Sequence, residues 1–244
     1  MRKTVKILDI PVDSITMAEA VEKVGTFIRD GGAHTVFTPN AEIMMAAHRD
    51  PELASMLTGA DMLTADGAGV VLASKILGRA LPEKVSGFDL VKKIFETYAK
   101  DGIRCFIFGS KPGVAEAAAE RIRSDYPGVI VTGCRNGYFT DKDDADIVNA
   151  VNGTNADILL VALGAPKQEK WINSHLDRLN CKVCIGVGGA IDVLSGNTKL
   201  APDFFRRNGL EWFYRLCKEP KRAKRMLDLP RFMVRVVLSR LAGK

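Results

Sequence analysis

Short apolar runs alternate along the chain with longer stretches in which apolar residues recur every three to four positions. Residues 5–10 read as a strand. Thr16 opens a helix with Glu19 three residues on, a pairing in which each side chain satisfies the other's free backbone N–H. Gly31-Gly32 stops that helix. Residues 34–37 form a second short strand ending in Thr38-Pro39-Asn40. Pro39 suits a helix start, where its missing N–H is not needed, and Ile43, Met44 and Ala47 give that helix its apolar side. A short helix over 51–57 leads to a strand at 61–64. The helix after Gly69 is apolar on most sides, which predicts burial, and residues 78–82 break it. An amphipathic helix follows over 88–100. From there the pattern is regular: strands at 104–108, 129–132, 157–163 and 182–187 alternate with helices at 114–126, at 146–152 and through Lys170 and Trp171. This alternation predicts an α/β fold, a mostly parallel Rossmann-like sheet with helices on both faces.

Charge divides the chain. Its 244 residues suit one large domain, or a domain with an appendage. The net charge is +6, yet residues 195–244 alone carry 13 Lys and Arg against 4 Asp and Glu, leaving the remainder at −3. The expected division is a ligand-binding body over 1–195 and a basic, amphipathic helical C-terminal appendage over 196–244, entered through Leu200-Ala201-Pro202. After Pro230 a last helix carries Phe232, Met233, Val236, Val237 and Leu241 beside Arg231 and Arg235. Arginines interleaved with Trp212, Phe213 and Tyr214 suit a nucleic-acid backbone. The apolar stripe instead fits a helix lying in a membrane interface, and a merely solvated basic helix is the third reading. The stripe favours the membrane and disfavours nucleic acid. No run is long enough to span a bilayer, and Met1-Arg2-Lys3 leads into a strand rather than an apolar leader. Any membrane contact is therefore expected to be peripheral. Five scattered cysteines read as reduced thiols. Cys181 and Cys184 have CxxC spacing, but no second pair completes a zinc site.

Three polar loops close strand-like runs: Thr38-Pro39-Asn40, Thr64-Ala65-Asp66-Gly67 and Ala165-Pro166-Lys167-Gln168-Glu169. Loops at the carboxyl ends of strands are where open α/β sheets bind ligands. These three are expected to face one pocket, with Asp66 at its chemical centre. Thr38, Asn40 and Gln168 are uncharged polar residues, of a kind able to orient a sugar hydroxyl or a pyrophosphate without neutralising a carboxylate base. Gly109-Ser110-Lys111-Pro112-Gly113 joins a strand to a helix, a setting that favours phosphate, although it is neither GxGxxG nor a Walker sequence. A tight turn explains it equally. Gly188-Gly189 has the same two readings, and Asp192 either binds a ribose or base or caps a helix. Lys84 and Lys167 are candidate phosphate partners. Asp144-Ala145-Asp146 has the DxD form of metal-holding sugar transferases, but aspartates in a first helical turn are expected from the helix dipole alone. Neither a metal nor a cofactor is expected.

Five stretches recur together in one known family: Thr38-Pro39-Asn40-Ala41-Glu42, Ala65-Asp66-Gly67-Ala68-Gly69-Val70-Val71, Pro82-Glu83-Lys84-Val85-Ser86-Gly87-Phe88-Asp89-Leu90, Gly164-Ala165-Pro166-Lys167-Gln168-Glu169 and Gly209-Leu210-Glu211-Trp212-Phe213-Tyr214-Arg215-Leu216. In this order they resemble the WecG/TagA/CpsF glycosyltransferases over nearly the whole chain. The resemblance implies inverting transfer from a UDP-sugar to a polyprenyl-diphosphate-linked sugar at the membrane, and with it a cytoplasmic location, peripheral on the inner face of the membrane. In the teichoic acid branch, ManNAc passes from UDP-ManNAc to O4 of GlcNAc-diphosphoundecaprenol, and other branches use UDP-ManNAcA or UDP-glucose. It also implies Asp66 as base, with Thr38, Asn40 and Gln168 beside it, and Arg215, Arg222 and Arg225 carried over the pocket by the appendage. Lys84 stands where relatives usually have Arg, which keeps the charge and loses the bidentate fork. A non-catalytic membrane- or nucleic-acid-binding module is the competing class, and self-association through the apolar body helices is left open.

Overall fold

The computed structural model describes residues 2–218, 220 and 223–243. The N-terminal apolar run is a hairpin, not the single strand its pattern predicts. Thr4–Ile7 (β1) and Ile10–Asp13 (β2) pair antiparallel. Leu8 and Asp9 turn the chain with φ of 48° and 69°, the conformation whose twist matches a two-residue hairpin. Leucine gives no turn signal, so the pattern reads straight through it.

The main sheet holds His34–Phe37 (β3), Met62–Leu63 (β4), Arg104–Gly109 (β5), Ile130–Arg135 (β6), Ile158–Ala162 (β7) and Val183–Gly186 (β8). Its order is β4-β3-β8-β7-β5-β6, and every neighbouring pair is parallel. Side chains alternate between two buried layers, as the two-residue period of a strand demands. Phe37, Leu63, Phe108, Leu159 and Val161 enter one layer, while Val36, Met62, Ile107, Ile158 and Leu160 enter the other.

Helices cover both layers, as expected of a Rossmann-like sheet. The first half contributes α1 (Met17–Asp30), α2 (Ala41–Arg49), α3 (Pro51–Gly59), α4 (Ala68–Ile76) and α5 (Gly87–Tyr98). The second half contributes α6 (Val114–Asp125), α7 (Asp144–Asn152), α8 (Lys167–His175) and α9 (Ala190–Leu194). α1, α5, α6 and α9 bury apolar residues in one layer, and α2, α3, α4, α7 and α8 in the other. Thr16 and Glu19 form the expected reciprocal cap. α2 begins two residues later than Pro39 suggests: Asn40 is its cap, and its side chain accepts from Ile43 N at 3.0 Å. α4 is less buried than its composition predicts, because Leu72 faces outward at 50% exposure.

The segment expected to form the appendage comprises α10 (Asp203–Arg207), α11 (Glu211–Lys218), α12 (Ala223–Met226) and α13 (Asp228–Leu241). α13 corrects the single-stripe reading of the last helix. Phe232 and Val236 are fully buried in the body's core, and Met233 packs against that core. Val237 and Leu241 stand out at 43% and 78% exposure, joined by Val234 and Leu238. The apolar residues occupy two opposed arcs of the helix: one packs on α2 and α4, and the other is open. A bidentate pair, Arg49 Nη1 and Nη2 to Asp228 at 2.9 and 2.7 Å, fixes the start of α13 to the end of α2.

Candidate functional site

Parallel strands deliver their carboxyl ends to one edge of the sheet, and the candidate residues gather there. Beyond β3 and β4 the pairing continues into the loops. Thr64 N donates to Phe37 O at 3.0 Å, and Asp66 N to Pro39 O at 3.2 Å. This sets Asp66 beside Thr38-Pro39-Asn40. The loop before α5 is pinned to the same place: Val85 N donates to Ala65 O and Thr64 Oγ1 to Val85 O, each at 2.9 Å. Gly87 is needed at that crossing, since a Cβ there would lie 2.9 Å from Thr38 Oγ1. Asn40 uses only its amide oxygen for the α2 cap, so the cap leaves the NH₂ group uncommitted.

Asp66 keeps part of its surface open, but protein packs around its carboxyl. Burial pushes the carboxyl up to about 6; the charges of Arg215 and Lys84 hold it down, and Glu211 and Asp89 push it further up. An ordinary aspartate is a weak base, whereas one near 6 accepts a proton far more readily and is still ionised at neutral pH. Three of those neighbours are cross-linked between body and appendage. Lys84 Nζ meets Glu211 Oε1 at 2.6 Å, and Arg206 Nη2 meets Asp89 Oδ1 at 3.1 Å. The appendage also touches the aspartate loop directly: a Cβ on Gly209 would fall 2.6 Å from the Cβ of Ala68.

Next to this cluster, a cavity of about 280 Å³ opens at the ends of β5, β7 and β8. Ser110, Lys111, Tyr138, Gly188, Gly189 and Asp192 are among its walls. A second cavity, of about 460 Å³, shares Gly137 and Tyr138 with it and is bounded by Phe139, Thr140, Asp143 and Lys167. The ammonium of Lys167 lies 4.1 Å from the centre of the Phe139 ring. Gln168 ties the two sides of the site. Its Oε1 accepts from Gly188 N at 2.9 Å, and its Nε2 donates to Glu169 Oε1 at 2.9 Å. It lies over Gly186, where a Cβ would come within 2.9 Å of the amide nitrogen and 3.1 Å of Phe37.

The structure thus brings Asp66, Thr38 and Asn40 together, and Lys111, Gly188, Gly189 and Asp192 together, with Gln168 between the groups. Gly109 lines neither cavity. It is glycine for a local reason: φ is 128°, and a Cβ would sit 2.4 Å from the Ala162 backbone. Arg215 is close enough to act on Asp66, while Arg225 Nε pairs with Glu42 at 3.1 Å in the first turn of α2. Arg222 lies outside the described residues. Asp144 of the DxD sequence accepts from Trp171 Nε1 at 2.9 Å, a packing role. No cluster of three metal-ligating side chains exists among the described residues. Cys181 and Cys184 are buried thiols with sulfurs 3.4 Å apart. Sequence reasoning did not single out Tyr138, which lines both cavities, and gave Glu169 a place in a pocket-facing loop but no role. Tyr138 follows no recognisable signal. Glu169 looks like a first-turn acid but is buried, which raises its pKa, and its Oε2 has no partner among the described residues.

The model of the WecG/TagA/CpsF glycosyl transferase family matches residues 5–244. The chain belongs to this family. Three relatives carry the name N-acetylglucosaminyldiphosphoundecaprenol N-acetyl-beta-D-mannosaminyltransferase. That of Bacillus subtilis is 36% identical over 202 residues, covering 83% of this chain and 78% of its own. That of Bacillus spizizenii is 34% identical over 212 residues, covering 87% and 82%. That of Staphylococcus aureus is 32% identical over 234 residues, covering 95% and 91%. No helix among the described residues of this family member is long and apolar enough to cross a membrane.

Proposed function

We propose that this chain is an inverting N-acetylmannosaminyltransferase. It moves ManNAc from UDP-ManNAc to O4 of GlcNAc-diphosphoundecaprenol, in assembly of the wall teichoic acid linkage unit. The observation that carries the reading is Asp66: an enclosed carboxylate raised to about 6, held against Thr38-Pro39-Asn40 at the ligand-binding edge of the sheet. The names of the relatives supply the sugar and the acceptor.

In the reaction, Asp66 takes the proton of the acceptor's C4 hydroxyl while that oxygen attacks the anomeric carbon from the face opposite the nucleotide. The bond from the anomeric carbon to the diphosphate breaks, and UDP leaves with the electron pair. Thr38 and the amide nitrogen of Asn40 hold sugar hydroxyls beside the base. UDP lies in the cavity of Lys111, Gly188, Gly189 and Asp192, and Gln168 fixes Gly188 at its rim. Charge developing on the diphosphate is met by backbone N–H groups and by Lys84, Arg215 and the other tail cations, including Arg222 and Arg225. No divalent metal is required in this scheme. The appendage over 196–244 settles on the cytoplasmic membrane face, through its basic residues and the open apolar arc of α13.

The test is release of UDP from UDP-ManNAc with a soluble GlcNAc-diphospho-lipid, measured for the wild type and Asp66→Asn with EDTA present. Acceptor-dependent release that collapses in the variant is expected. Release only from UDP-ManNAcA or UDP-glucose would replace the donor. Release that survives in Asp66→Asn would remove Asp66 as the base, and loss on adding EDTA would remove the metal-free scheme.

A further inference from the structure

Ser110 is placed at a cost that its surroundings do not explain. Among the described residues, four that are not glycine have positive φ: Leu8, Asp9, Ser110 and Asn155. Leu8 and Asp9 make the hairpin turn, and asparagine tolerates this region well. Ser110, at φ 60°, has neither reason. Its backbone is clamped from both sides: its N–H donates to Ala162 O, and its carbonyl accepts from Gly137 N, each at 2.9 Å. The clamp dictates the left-handed conformation, and glycine would adopt it without strain. The side chain gains nothing inside the protein either, because Oγ is buried with no hydrogen-bond partner among the described residues. Strain and an orphaned hydroxyl at one residue on the wall of a cavity point to a ligand.

The chemistry of that wall is divided. Ser110 and Lys111 stand on one side, just before α6, and Asp192 stands with Gly188 and Gly189 on the other. The carboxylate repels phosphate and suits ribose hydroxyls. The hydroxyl and ammonium suit a diphosphate, whose oxygens accept from both.

We infer that Ser110 is a binding residue for the nucleotide diphosphate: its Oγ–H donates to a phosphoryl oxygen, turning into the cavity about χ1 with no movement of the backbone. This rests on the glycosyl-transfer reading above, and adds to it the residue that recognises the diphosphate in preference to the nucleoside.

The experiment is calorimetric titration of the full chain with UDP, with uridine measured by competition, alongside thermal melts, for the wild type, Ser110→Gly and Ser110→Ala. Loss of a hydrogen bond to a charged group predicts about tenfold or more weaker UDP binding in both variants. Uridine affinity stays within about twofold. Ser110→Gly melts no lower than the wild type, because it sheds both the strain and the orphaned hydroxyl, whereas Ser110→Ala keeps the strain. A residue that only supported the fold would lose stability along with affinity. Wild-type UDP affinity in Ser110→Gly overturns the assignment, and so does an equal loss for uridine and UDP. If the wild type itself fails to bind UDP, the glycosyl-transfer reading falls first and this inference with it.

Discussion

Replacing Asp66 by asparagine keeps the outline of the side chain and removes its charge. In the folded chain the carboxyl sits at about 6, against an unperturbed value of 3.8. A carboxyl raised on folding subtracts stability as it ionises. The subtraction is absent below the unperturbed value, grows as pH rises towards the folded value, and is complete above it. At about 1.36 kcal/mol per pH unit, the gap between the two values sets a ceiling of roughly 3 kcal/mol. Water at the open part of the residue reduces this to roughly 1–3 kcal/mol. In a chain of this size each kcal/mol moves the melting midpoint by about 2–4 °C. Asp66→Asn is therefore expected to melt about 2–12 °C above the wild type near pH 8, with the difference shrinking to about 2 °C or less near pH 4. Thermal melts of both proteins across that range check it. The same substitution removes a base, so transfer falls by about 10²–10⁴-fold. A stability difference that ignores pH, or a variant that melts lower near pH 8, would refute the account of a carboxylate held against its own solvation.

Glu211→Gln removes a negative charge that raises the Asp66 pKa and frees Lys84, which lowers it. The acidic limb of the pH profile of kcat/KM is expected to move to lower pH, and an upward shift would contradict the assignment. Phe232→Ala empties a fully buried site between α13 and the body. Urea unfolding should report a loss of about 3–5 kcal/mol, and a loss below about 1 kcal/mol would mean that α13 does not belong to the core. Gln168→Leu leaves Gly188 N–H without its acceptor. A folded variant with kcat/KM reduced at least about tenfold is expected from steady-state rates, and wild-type rates would detach Gln168 from the site.

The βα alternation was legible from residue 104 onward because each strand there is a buried apolar run with its own loop and helix. The first hairpin was not, since Leu8 occupies a turn that sequence logic reserves for glycine or asparagine. Asp66, Thr38 and Asn40 were legible as a group because they follow short strands, and parallel strands align their carboxyl ends. The partners of Lys84 and Arg225 were not. Each pairs with an acid more than a hundred residues away, Glu211 and Glu42, and no local pattern encodes that. The last helix misled for a related reason: one apolar stripe and two opposed apolar arcs look alike until the body is there to claim Phe232 and Val236.

α13 lies across α2 and α4, with Phe232 and Val236 fully buried beneath it. The N-terminus of α2 is capped by Asn40, and α4 starts two residues after Asp66. The last helix is thus braced on the two rods whose far ends hold the proposed sugar clamp and base. Interiors packed at crystal density transmit displacement rather than absorbing it. A load applied to Val234, Leu238 or Leu241 on the outer arc would therefore bear on both rods together rather than on one alone.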